Sequence, residues 1–100
     1  MTVNEALRAI DETVQEVFDF GTRRQAKRKE GSRRNVYEKS LREVKQVAGD
    51  EEMEALKRWI TRTIRENERF PSSRETRKRG AQICRDSGHG IPTGSFLGAD

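Results

Sequence analysis

The sequence predicts an all-α protein, a small bundle of about four helices with a turn-rich C-terminal tail. Three observations carry that expectation. Apolar residues recur at spacings of three and four, three capping boxes stand at the head of apolar stretches, and no segment reads as a strand.

Residues 2–20 carry the clearest pattern. Val3, Leu7, Ile10, Val14 and Val17 mark the seam of an amphipathic helix or short coiled coil, and Thr2 with Glu5 forms a T-x-x-E cap. Five acids (Glu5, Asp11, Glu12, Glu16, Asp19) against Arg8 make this segment net −4. Phe18 and Phe20 widen the apolar surface before Gly21 offers a break.

The charge then reverses. Arg23, Arg24, Lys27, Arg28, Lys29, Arg33 and Arg34 face only Glu30, for a local net of +6. Gly31 and Ser32 favour a turn or linker near the end of residues 21–34, while the sequence leaves open a helical extension or a mobile loop there. A helical hairpin is expected over 35–69. Its first helix opens at the Asn35–Glu38 box, buries Tyr37, Leu41, Val44 and Val47 or Ala48, and closes at Gly49. Asp50 is the expected cap of the next helix, with Met53, Leu56, Ile60 and Ile64 as its seam and Trp59 and Thr63 beside it. Phe70-Pro71 ends it, because the residue before proline is pushed out of helical geometry.

Ser72 and Glu75 make the third box, so a basic helix is expected over 72–87. Its apolar side is thin: Thr76, Gly80, Ile83 and Cys84, with Gly80 suited to close helix approach. Residues 88–100 form the tail, which Ile91, Phe96 and Leu97 should fold back onto the helices. One small helical domain accounts for the whole chain.

Composition narrows the function classes. Only 31% of residues are hydrophobic and 38% are charged, with a net charge of +4, so the core is thin. A homo-oligomer sealed by the first helix is the expected completion, with Val3, Leu7, Ile10, Val14, Val17 and Trp59 as interface residues. One cysteine, Cys84, and one histidine, His89, cannot make a disulfide framework or a self-contained zinc site, so no metal or other cofactor is expected. No apolar run reaches the ~20 residues of a membrane span, and the acidic amphipathic start is unlike a targeting peptide. The expected compartment is the cytoplasm.

The basic run is the strongest functional signal. Clustered cations neutralise phosphates and release counterions, which drives salt-sensitive, sequence-independent binding to DNA or RNA. Arg23, Arg24, Lys27, Arg28, Lys29, Arg33 and Arg34 are the first candidates, and Arg74, Arg77 and Lys78 of the last helix the second. A solvated turn, or a counterweight to the acidic first helix, is the competing explanation of the run. The short Phe-Pro-Ser connection also admits a helix-turn-helix reader, though the turn lacks its usual glycine and Gln82 is the one amide on that helix. Gly88-His89-Gly90 through Ser95 superficially resembles a phosphate loop, but it follows a helix and opens onto none, so Ile91–Gly94 reads as a β-turn.

Neither Cys84 nor His89 has a partner at catalytic spacing, no paired-carboxylate motif occurs and no small-molecule substrate is evident, so no enzymatic activity is expected. Two function classes remain: a nucleic-acid-associated or regulatory protein, and a helical interaction module or homo-oligomeric scaffold.

Overall fold

The computed structural model describes residues 1–18 and 23–98, with backbone alone for 23–27, 29, 30 and 32. Four helices run α1 (Val3–Val17), α2 (Arg23–Ala48), α3 (Asp50–Asn67) and α4 (Ser73–Asp86), followed by a 3-10 turn at Phe96–Gly98. Among the described residues there is no strand. This is the small all-α bundle that the spacing predicts.

Each helix has a local cause. In α1, Thr2 Oγ1 accepts the Glu5 N–H at 3.1 Å, and the helix ends at Val17, short of the expected 20. Asp19 to Gly21 lie outside the described residues. The linker expected over 21–34 is replaced by helix from Arg23 onward, and Asn35 sits in mid-helix rather than at a cap. Helix formers flank Gly31 and Ser32 on both sides, and one interior glycine costs only about 1 kcal/mol. The run therefore propagates through the expected break.

Gly49 alone joins α2 to α3. Its φ of +107° and ψ of −176° belong to a region open in practice to glycine, and its N–H donates to the Lys45 carbonyl at 3.0 Å. Gly49, not Asp50, is the N-cap of α3; Asp50 is the first helical residue and pairs with Lys45 at 3.5 Å. Glu68 stops α3 in the left-handed conformation (φ 50°), before Phe70-Pro71 is reached. The Ser72–Glu75 box is complete in both directions. At the other end of α4, Gly88 N–H reaches Arg85 O and His89 N–H reaches Cys84 O, both at 2.9 Å, a Schellman closure.

Side-chain contacts set the helix directions. Arg33 donates to the Phe70 carbonyl (2.8 Å) and Tyr37 to the Pro71 carbonyl (3.1 Å), so α2 and α3 are antiparallel. Arg65 pairs with Glu16 at 2.9 Å, which sets α1 alongside α3. α4 starts beside Tyr37 and passes Val44 at Gly80, so it runs parallel to α2. Both α1 and α4 pack on the α2–α3 hairpin, and they do not touch each other among the described residues.

The core takes Leu7, Ile10 and Val14 from α1, Tyr37, Leu41 and Val44 from α2, and Met53, Leu56, Ile60 and Ile64 from α3. Phe18 stacks on Phe70 (centroids 5.5 Å apart, planes at 16°) and closes one end. The seam proposed as a homodimer interface is thereby occupied: Leu7, Ile10 and Val14 are at most 2% exposed, and Val3 and Val17 pack against the same core. α1 covers the hairpin within its own chain. Docking a second copy on that seam would first require peeling α1 away.

Candidate nucleic-acid interface

The tail builds one flank of the molecule. Pro92 O accepts the Ser95 N–H at 3.1 Å, so the turn spans Pro92 to Ser95, one residue later than expected. Ser95 Oγ then donates to Glu43 of α2 and accepts the Leu97 N–H, each at 3.3 Å. These bonds aim Leu97 at Gly80 of α4. A Cβ on Gly80 would lie 2.9 Å from Leu97 Cδ2 and 3.2 Å from Val44 Cγ2, so any larger residue there would force Leu97 to shift. Leu97 is buried by it, and Phe96 beside it stays half-exposed between α2 and α4.

Phe96 gathers cations from two helices. Lys39 Nζ of α2 and the Arg77 guanidinium of α4 each lie 5.5 Å from its ring centroid. Arg74, Lys78 and Arg85 are exposed on the same side of α4, since spacings of four and seven residues return to one face. Arg28 is exposed eleven residues before Lys39, three helical turns to within about 20°, so both share one face of α2. The carboxylates nearest in the chain are engaged or set aside, beginning with Glu38, which pairs with Arg42 at 2.8 Å. Glu43 accepts from Ser95, and Glu75 accepts two bonds from Arg69 at 3.2 and 3.0 Å. Asp86 stands on the outer crest of α4 with Gln82. The Arg69 hydrogen bonds hold the Glu75 carboxyl below its ordinary range, against partial burial that pushes it up.

The other predicted cations go elsewhere. Arg33 is tied to the Phe70 carbonyl, and Arg34 pairs with Asp11 of α1 at 3.3 Å. This end of the basic run is a counterweight to the acidic helix. The side chains of Arg23, Arg24, Lys27 and Lys29 lie outside the described residues. Their backbone continues the axis of α2 past the bundle end where α4 begins, because α2 spans about 39 Å of a molecule 43 Å long. Arg79 lies over Trp59 at 5.8 Å on the opposite flank of α4, so Trp59 is a half-buried platform for that guanidinium.

Sequence reasoning missed Lys39 and Phe96 as members of this surface. The signal for Lys39 was its register with Arg28; for Phe96 it was the apolar tail residues, read only as anchors.

Two hollows border the tail. One, of about 390 Å³, lies between α4 and the 3-10 turn and is lined by Lys78, Ala81, Gln82, Arg85, Leu97 and Gly98. The other, of about 510 Å³, lies beside α2 and includes Glu43, Gln46, His89, Thr93 and Ser95. Cys84 is buried, and burial with the negative charges of Glu52 and Glu43 pushes its thiol up, opposite to what a nucleophile needs. Among the described residues no cluster of His, Cys, Asp or Glu is arranged to hold a metal, and no helix is long and apolar enough to cross a membrane.

No protein-family model, curated protein or solved structure matches this chain.

Proposed function

We propose that the protein binds nucleic acid through the flank formed by α4, the 3-10 turn and the adjoining face of α2. The observation that carries this reading is the convergence of Lys39 and Arg77 on the Phe96 ring, with Arg74, Lys78 and Arg85 exposed beside them and unpaired among the described residues. Like charges gathered on one flank repel one another, and a polyanion relieves that repulsion while releasing its own counterions. The contacts are with phosphates. Glu75 and Asp86 stand on the outer side of α4, so burying the helix crest-first in a major groove would bring carboxylates against the backbone. Flank contact leaves them outside and favours sequence-independent binding over a helix-turn-helix reader.

The test is fluorescence anisotropy of a labelled DNA or RNA oligonucleotide titrated with protein at several salt concentrations. Three to five phosphate contacts predict a slope of log K against log salt of about −2.7 to −4.5 on duplex DNA. Absence of binding to both DNA and RNA at low ionic strength would sink the proposal.

A further inference from the structure

The tail reaches the basic flank along a lightly packed path and docks at its far end. Ile91 is the one residue of 88–94 that is not exposed, so little packing opposes local opening of this stretch. Docking then rests on residues 95–97. Leu97 fills the notch that Gly80 leaves beside Val44 and Leu56, and Ser95 Oγ donates to Glu43 at 3.3 Å. The Phe96 ring centroid lies 5.5 Å from both Lys39 Nζ and the Arg77 guanidinium. Two of these contacts act on the cations. Lys39 belongs to α2 and Arg77 to α4; their like charges repel, while the electron-rich face of an aromatic ring attracts each of them. Glu43 follows Lys39 by four residues, the spacing at which a carboxylate pairs with a lysine of its own helix, and the bond from Ser95 engages it instead. A docked tail thus holds two cations together and draws off the carboxylate best placed to neutralise one of them.

We propose that the C-terminal tail is a latch that assembles the phosphate-binding flank, with Phe96 as the positioning residue for Lys39 and Arg77. Released, the tail lets the two cations separate and returns Glu43 to Lys39. A polyanion that pairs with both cations keeps them together and so favours the docked tail. Such coupling is reciprocal, because docking and binding must strengthen each other by the same factor. This inference rests on the proposed nucleic-acid binding and specifies how that site is regulated.

The experiment uses the full chain with labelled DNA and RNA oligonucleotides at low salt. Leu97→Ala empties the notch at Gly80 and should weaken binding about fivefold or more, the lower end of typical coupling between sites. Phe96 is half-exposed, so Phe96→Leu should fold normally by circular dichroism and still weaken binding by a similar factor. Phe96→Tyr keeps the ring and should bind as wild type does. Hydrogen exchange reads the reciprocal effect. The amides of Ser95, Leu97 and Gly98 donate to the Pro92 carbonyl, Ser95 Oγ and the Ser95 carbonyl, and saturating oligonucleotide should slow their exchange several-fold in the wild-type chain. Wild-type affinity in Phe96→Leu, tighter binding by Leu97→Ala, or exchange that the oligonucleotide does not slow would overturn the latch and leave the basic flank standing. Failure of the wild-type chain to bind either DNA or RNA would remove both.

Discussion

Arg33 and Arg34 close the densest basic run of the chain, yet both are engaged within the fold, one at a backbone carbonyl and one at Asp11. Arg74, Lys78 and Arg85 come from a sparser cluster interrupted by Glu75 and still face solvent on a single flank. The difference lies in what each helix packs against. α2 brings Arg34 to the acidic α1 and Arg33 to the α3–α4 junction, whereas the outer face of α4 has no acidic helix across from it. Local charge density in a sequence therefore does not measure the charge a fold leaves available.

The largest effect should come from removing that available charge. Converting Arg74, Lys78 and Arg85 together to Gln should weaken oligonucleotide binding on the order of 100-fold and flatten the salt slope by about 2.7, since three phosphate contacts are lost. The Arg33→Gln/Arg34→Gln double variant should change affinity by less than about threefold. It should instead lower unfolding stability by about 1–2 kcal/mol, mainly through the Phe70 carbonyl. Equal losses of affinity in the two variants would erase the distinction between the regions.

The next effect tests how the flank is built. Gly80→Ala places a Cβ where Leu97 and Val44 already sit, and should cost about 1–3 kcal/mol in urea unfolding despite the better helix propensity of alanine. Gly31→Ala is the matched control in α2. Nothing lies within 4 Å of its Cβ, so the same change should stabilise by up to about 1 kcal/mol. Opposite signs from one chemical substitution would separate packed from open helix surface.

Smaller still is the cap of α4. Ser72→Ala removes the oxygen that accepts the Glu75 N–H and should cost about 1 kcal/mol by chemical denaturation. The smallest effect is the pH dependence of the Glu75–Arg69 pair, which is half-exposed. A carboxyl held below its unfolded value contributes stability at neutral pH, and that contribution disappears as pH falls through the lowered value. The stability difference between wild type and Glu75→Gln should therefore shrink on acidification. A constant difference would show that Glu75 acts by packing alone.

The fold was largely legible. Thr2 and Ser72 cap as their boxes predict, and Leu7, Ile10, Val14, Met53, Leu56, Ile60 and Ile64 are buried as their spacing requires. The boundaries that differ have two separate causes. Gly31-Ser32 was read as a break because glycine and serine are common in turns, but their local penalty is smaller than the gain from continuing a helix through strong formers. Glu68 ends α3 in a conformation usual for glycine or asparagine, so no residue signal marked it. The candidate site was only partly legible: Arg28, Arg74, Arg77 and Lys78 were named, but Lys39 and Phe96 join them through contacts between elements distant in the chain.

The sequence by itself determined that this chain is helical, where most helices begin and which stripe each one buries. Capping and periodicity act over three or four residues, within the reach of local physics. Tertiary structure alone decided which cations remain available and that the α1 seam closes the chain's own core. Both depend on which helix lies across from which, set by the one-residue turn at Gly49 and the Leu97 contact at Gly80.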